Sequence, residues 1–132
     1  MEIISVGSQR SSIALSQAIA QLVIAKIHSI RRRKAHAHLA FEYTPNIKAA
    51  FQVLASSIYA EQLNWHKLHI YSLQPDKSIK KQMQTDLLTH VDFPSHHYHS
   101  SVTSDSHIDV VILEMIPVSK APSAAYVIKL TD

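Results

Sequence analysis

Histidine is the residue type in this sequence with the widest reach for chemistry. The 132-residue chain holds ten of them, and His96, His97, His99 and His107 fall close together. Neutral imidazole ligates zinc, copper and nickel, which makes His96, His97 and His99 the candidates for a metal site. They lack a fixed ligand spacing such as H-E-x-x-H, and the chain has no cysteine to supplement them. They are therefore read as exposed loop side chains, and no metal or cofactor is implied. Ser104-Asp105-Ser106-His107 has the residue types of a hydrolytic triad. Nothing in the chain resembles G-x-S-x-G, so this stretch reads as a polar turn. The other chemistry-bearing run is Arg31-Arg32-Arg33-Lys34, which accounts for much of the net charge of +3. Such a run can hold phosphate or nucleic acid. It has no interleaved aromatic residues to stack bases, and it reads as a cationic helix C-terminus favoured by the helix dipole. Nucleic acid is not the expected partner.

The glycine count restricts the possibilities further. Phosphate-cradling loops use glycine for close backbone approach and positive φ. Gly7 is the single glycine in the chain, which argues against a P-loop or a dinucleotide fingerprint. An apolar content of 46% with 17% charged residues suits a globular core. The length suits one domain over 1–132. No continuous apolar run approaches the ~18 residues of a membrane span, and Met1 to Val6 lacks the order of a signal peptide. A soluble, cytoplasmic protein is expected.

The elements that must position these groups follow from periodicity. Met1 to Val6 reads as a short edge strand. Ser11 or Ser12 caps a helix whose apolar positions are Ile13, Ala14, Ala18, Ile19, Leu22, Val23, Ile27 and Ile30. Ala37 to Phe41 is a buried strand, with His36 and His38 at its mouth as edge residues. Thr44-Pro45 is an N-cap followed by proline at the first helical position. It starts a helix carrying Ile47, Ala50, Phe51, Leu54 and Ile58 and running to about Ala60. Leu68 to Leu73 is a strand, and Ser78 caps a helix with Ile79, Met83, Leu87 and Leu88. Pro94 to Ser106 reads as loop, Ile108 to Met115 as a strand, and Ala125 to Leu130 as the last strand. Trp65 and Phe51 are read as core rather than as the lining of a ligand pocket. Alternating strands and helices of this length predict an α/β fold: a three-layer α/β/α arrangement around a mostly parallel, Rossmann-like sheet.

Several of these stretches resemble the 6-phosphogluconolactonase / glucosamine-6-phosphate isomerase family in order and spacing. Trp65-His66-Lys67-Leu68-His69-Ile70-Tyr71 is similar to that family's W-x-K-V-H-h-F strand. Ser78 through Leu87-Leu88 to Val91-Asp92-Phe93-Pro94 is similar to its S-N-x-x…L-L-x-x-V-x-h-P helix and exit. His97-Tyr98-His99 falls where the family has N-h-H. Asp109-Val110-Val111-Ile112-Leu113 resembles its D-h-h-h-L strand, and Thr44-Pro45 the end of S-G-G-S-T-P. Lys120-Ala121-Pro122 and Val127 to Thr131 resemble its late K-P-P-x-x-R-h-T-h-T strand.

The resemblance also implies what has been lost. The family's phosphate-holding S-G-G-S-T-P reads Ala40-Phe41-Glu42-Tyr43-Thr44-Pro45 here, so Glu42 brings a negative charge to the phosphate position. The family's D-E-R falls on Gln74-Pro75-Asp76. Its G-x-G-x-D-G-H, which bears the catalytic histidine, falls on Glu114 to Lys120. Lysine, with an ordinary pKa of about 10.4, is protonated at neutral pH and is no general base. The resemblance therefore implies a shortened, non-catalytic relative that acts through protein contacts. Deletion of part of the sheet and its covering helices would leave apolar surface to be covered by a homo-oligomer or a protein partner. Two alternatives remain open. One is a residual sugar-phosphate lactonase or isomerase with Thr44, Ser78 and Lys120 as its contacts; the other is an anion or nucleic-acid module using Arg31, Arg32, Arg33 and Lys34. A sugar phosphate is disfavoured as ligand by Glu42.

Overall fold

A computed structural model of the chain describes residues 1–7 and 11–131. The strands are β1 (Glu2–Gly7), β2 (Ala37–Phe41), β3 (Leu68–Ser72), β4 (Tyr98–His99), β5 (Val110–Leu113) and β6 (Tyr126–Thr131). The helices are α1 (Ser12–Arg31), α2 (Pro45–Leu54), α3 (Ser57–Ala60) and α4 (Lys77–Met83). All six strands join one sheet in the order β1-β6-β5-β2-β3-β4, and every pairing is parallel. The expected α/β fold with a parallel sheet is what the chain forms.

The direction in which the chain moves across the sheet decides what covers each face. From β1 to β2, β2 to β3 and β3 to β4 it moves toward the β4 edge; from β4 to β5 and β5 to β6 it moves back. Right-handed crossovers put connections of opposite direction on opposite faces. Accordingly α1, α2 and α4 share one face, where Ile19, Val23, Phe51 and Met83 pack with Leu39, Phe41, Ile70 and Ile112. The return connections cover the other face, where Val102, Ile116, Val118 and Ala121 lie on Ala40, Tyr71, Val111, Leu113 and Val127. That second covering layer consists of loops and the short 3-10 turn Val118–Lys120.

Helix α1 starts where serine capping places it, with the Ser11 hydroxyl accepting the Ala14 N–H at 3.2 Å. Its buried stripe is Leu15, Ile19, Ala20, Val23, Ile24, Ile27 and Ile30. Ile13, expected on that stripe, is 70% exposed, because it stands in the first turn ahead of the sheet contact. The helix has 20 residues and a mean hydropathy of 1.4, enough in length and composition for a membrane span. The sequence reading of no such segment is corrected here. In this fold the apolar stripe of α1 is buried against sheet and α2.

Thr44 caps α2 as expected, and Pro45 occupies its first turn. The helix does not run to Ala60. The Ser56 hydroxyl turns back to the Val53 carbonyl at 2.6 Å, and a separate single turn, α3, follows, leaving Ile58 73% exposed. Helix α4 is capped by Asp76 rather than Ser78; Asp76 Oδ1 accepts both the Ser78 N–H at 2.9 Å and its hydroxyl at 2.8 Å. It continues into a π-helical turn, Gln84–Leu88. The segment read as loop from Pro94 contains β4, whose two residues are too few to show a periodicity. Trp65 is core, its indole N–H donating to the Ala60 carbonyl at 2.9 Å.

Candidate functional site

In an open parallel sheet, ligands bind beyond the carboxyl ends of the strands where the direction of crossover reverses. Here that switch lies between β2 and β5, whose outgoing connections run to opposite edges. The crevice is built from the segments leaving those two strands. Glu42 remains paired to β5, its N–H donating to the Ile112 carbonyl at 3.0 Å. This turns its side chain across the end of β5, where Glu42 Oε1 accepts the N–H groups of Glu114 at 2.8 Å, Met115 at 2.8 Å and Ile116 at 2.9 Å. Three consecutive backbone N–H groups converging on one point form an anion-binding nest. The occupant of this nest is the protein's own carboxylate, and Glu42 is only 3% exposed.

The surrounding groups are equally engaged. Thr44 Oγ1 donates to Glu114 Oε1 at 2.6 Å while accepting the Ile47 N–H at 3.3 Å. Asn46 Nδ2 donates to Glu114 Oε2 at 3.0 Å. Lys129 Nζ reaches the carbonyls of Glu114 and, at 3.1 Å, Ile116. Gln74 Oε1 accepts the Tyr43 N–H at 2.6 Å and fixes the turn after β2. The Tyr43 hydroxyl lies 2.9 Å from Gln82 Oε1 and 3.0 Å from Asp86 Oδ2, which share its one proton. Burial, then the Asp86 hydrogen bond and charge, push the tyrosine pKa well above its usual range. None of the described non-glycine residues has a positive φ. The crevice loops therefore form without the backbone freedom that only glycine supplies.

The three residues offered as residual substrate contacts all follow the carboxyl ends of strands, but the hydrogen bonds of Thr44 and Ser78 go to other partners. Thr44 is buried and bonded to Glu114, Ser78 is exposed and bonded to Asp76, and Lys120 is exposed on the loop after β5. The basic run lies at the other end of the sheet, before β2. Arg31 Nε donates to the Ala35 carbonyl at 2.9 Å, and Lys34 Nζ pairs with the buried Asp109 at 2.8 Å. Arg32 and Arg33 remain exposed. Asp109 also accepts the His38 N–H at 2.9 Å and faces His107 Nε2 at 3.0 Å. This tie between α1, β2 and β5 needs Lys34 as a structural partner.

The histidines form a second constellation, on the loop-covered face. His38, read as an edge residue, is on an interior strand, because β2 has neighbours on both sides. Its ring stacks on His69 with centroids 4.7 Å apart. His69 stacks in turn on His97 at 4.0 Å and His99 at 5.4 Å, and His99 stacks on Tyr71 at 4.3 Å. His36 sits 5.4 Å from His69. His69 Nδ1 and His99 Nε2 are 3.1 Å apart and share a hydrogen bond. Burial is the first cause of a lowered pKa at His38, His69, His97 and His99, and for His69 the neighbouring imidazoles carry it down to about 4. The rings are thus neutral at pH 7. His96 is exposed and meets this array only edge-on, at 4.6 Å from His97. Among the described residues no group of three or more histidine, aspartate or glutamate side chains is arranged to hold a metal ion. The alternation of β2 and β3 puts His38 and His69 on one face, but the union with His97 and His99 needed the unforeseen β4.

A parallel α/β sheet with a switch-point crevice defines the class. Its solved relatives in fold are enzymes of sugar-phosphate chemistry. A 6-phosphogluconolactonase from Thermotoga maritima superposes with a TM-score of 0.67 at 12% identity, covering 86% of this chain and 60% of that one. A monomeric glucosamine-6-phosphate deaminase of the NagB superfamily gives 0.62 at 14% identity, over 86% and 55%. A 6-phosphogluconolactonase from Shewanella baltica gives 0.60 at 15% identity, over 87% and 57%. The chain thus spans about 55 to 60% of the length of these structures. No family model matches the sequence, and no curated protein matches it either. The fold is that of the lactonases and deaminases, in agreement with the resemblance carried by the Trp65 to Tyr71 and Asp109 to Leu113 motifs.

Proposed function

We propose that this chain is a divergent, shortened relative of the sugar-phosphate lactonases and isomerases that has given up catalysis and acts through protein contacts, as a homo-oligomer or with a protein partner. The observation carrying this reading is the Glu42 carboxylate in the nest of residues 114–116. An anionic substrate would have to displace a buried carboxylate that already accepts three N–H bonds, and would meet its charge on approach. At a few ångströms and intermediate dielectric that repulsion costs on the order of 4 kcal/mol. In the ungapped reading of the resemblance, Lys120 falls at the position of the family's catalytic histidine and is no general base at neutral pH. Exposed Ile3 on the edge strand β1, together with Ile13, Ile58 and Met115, supplies apolar surface for association. A soluble cytoplasmic location belongs to the same reading, supported by the absence of cysteine.

The competing reading is a residual lactonase. It draws on the fold likeness and on the Glu114 carboxylate at the switch point, a group of the right type for general base work once freed from Thr44 and Asn46. Anion or nucleic-acid binding through Arg31 to Lys34 is weaker, since Lys34 is committed to Asp109. Hydrolysis of 6-phosphogluconolactone by the purified chain separates the first two readings. A rate equal to spontaneous hydrolysis, with light scattering reporting a dimer or larger, is the expected result. Turnover above background that vanishes in Glu114→Gln establishes the lactonase instead. Catalytic silence with a clean monomer and no co-purifying protein removes the contact-based reading.

A further inference from the structure

An open sheet ends in two edge strands, whose unpaired N–H and C=O groups are a template for another strand. One edge here, β4, is only two residues long. The other, β1, has six residues and runs in unbroken register along β6. Its sequence, Glu2 to Gly7, contains neither lysine nor proline, and no bulge interrupts its pairing. The devices that keep an edge from pairing are therefore missing from β1.

The register fixes which of its groups are free. The Glu2 N–H donates to the Ala125 carbonyl at 2.9 Å, so Glu2, Ile4 and Val6 turn their backbone groups toward β6. Alternation turns those of Ile3, Ser5 and Gly7 outward. An antiparallel copy of β1 centred on Ser5 sets Ser5 opposite Ser5 and Ile3 opposite Gly7. In that register every outward N–H and C=O has a partner. Ile3, 50% exposed, then covers Gly7 of the other copy, where an added Cβ meets nothing within 4 Å.

Helix α1 borders the same edge, and its Ala18, Gln21 and Leu22 line a groove with Ser5 and Val6. No side chain from Ile3 to Gly7 or from Ser11 to Ala25 is charged. A surface helix ordinarily carries charge on its outer face; here only 44% of the most apolar stretch of α1 is buried in the chain. A two-fold axis through Ser5, perpendicular to the sheet, lays the two α1 helices side by side on one face and opposes no like charges beside the axis. With 20 residues, α1 makes the strip about 30 Å long. At about 20 Å through helix and sheet it offers roughly 600 Å² per copy, the lower end of what specific interfaces bury.

We propose that β1 and the adjoining side of α1 are the surface through which two copies of this chain join, β1 to antiparallel β1, into one continuous sheet. This rests on the contact-based reading above and names its partner as a second copy. A lipid surface suits the composition of α1 but offers no hydrogen-bond partners to the free edge of β1.

The test is sedimentation velocity of the purified chain over a range of micromolar concentrations, and a dimer is expected. Ser5→Pro removes an N–H that bonds nothing within the sheet, and Ile3→Lys puts a charge on the edge. Each should raise the dimer dissociation constant about tenfold or more. Thr85→Lys, at an exposed position on the turn after α4, should leave it unchanged. The chain has no cysteine, so Ser5→Cys supplies a single thiol. Mild oxidation should link it to its copy, since facing Cα atoms of such a pair stand about 5.5 Å apart. Amide hydrogen exchange on the wild-type chain makes the outcome independent of whether variants fold: the Ser5 N–H must exchange more slowly in concentrated than in dilute solution. A dimer that persists in both edge variants and does not cross-link through Ser5→Cys overturns this inference and leaves the contact-based reading standing. A clean monomer overturns it as well, whether it floats with phosphatidylcholine/phosphatidylglycerol vesicles or binds a different protein; the contact-based reading survives only in the second case.

Discussion

Glu42 and Ile116 are joined by a 2.9 Å hydrogen bond from backbone N–H to carboxylate that closes the end of the β2/β5 boundary. The same oxygen accepts the N–H groups of Glu114 and Met115. A group expected to repel a ligand thus serves as an internal ligand. Glu42→Ala leaves three N–H groups without their acceptor, and charge-assisted bonds of this kind are each worth about 1.5 to 3 kcal/mol. Allowing for water entering the vacated nest, a loss of about 3 kcal/mol in urea denaturation is expected. Glu42→Gln keeps an acceptor oxygen without the charge and should lose roughly half as much.

The histidine array makes stability depend on pH in a defined direction. Burial and then the His97, His38 and His99 imidazoles lower the His69 pKa to about 4, below the ordinary 6.5. The unfolded chain consequently binds more protons than the folded one between these values. The stabilisation is fully present above pH 6.5 and is lost as the pH falls toward 4. His38, His97 and His99 shift in the same direction and steepen the loss. Urea midpoints measured from pH 8 to pH 4.5 should fall through this window, with a shallower slope in His69→Gln.

Lys34 is the cation whose loss should matter most within the basic run. Its ammonium pairs with Asp109, whose side chain is 3% exposed, while Lys34 itself is 37% exposed. Removing it strands a buried carboxylate that retains the His38 N–H. Discounted for the exposure of the lysine, a destabilisation of about 1 to 2 kcal/mol is expected for Lys34→Ala in chemical denaturation. Arg32→Ala and Arg33→Ala, at exposed positions, should stay within about 0.5 kcal/mol of wild type.

Phe51 anchors α2 to the sheet. Its ring meets Phe41 edge to face at 5.1 Å, and both are fully buried. Phe51→Ala should cost about 3 to 5 kcal/mol from lost burial and the cavity left behind, detected as a fall in thermal midpoint. The neighbouring surface change Gln52→Ala removes a long 3.3 Å bond to Asp86 and should have a small effect.

Local signals in the chain determined its elements and its class. Three-four apolar spacing made α1, Thr44-Pro45 started α2, and the continuous apolar runs became the buried strands β2, β3 and β5. These signals are strong because capping and periodicity are properties of adjacent residues. The family-like motifs likewise pointed to the lactonase and deaminase fold before any contact was known, and the single glycine argued against a glycine-built phosphate loop. What only the tertiary structure decided depends on residues far apart in sequence. Glu42 meets residues 114–116, Lys34 meets Asp109, and His69 meets His99 only after the sheet order is set. No periodicity encodes that order, which depends on which way each crossover turns. The same sheet order placed Glu42's carboxylate inside the anion nest, where its charge is satisfied by backbone N–H groups of the segment leaving β5, some seventy residues later.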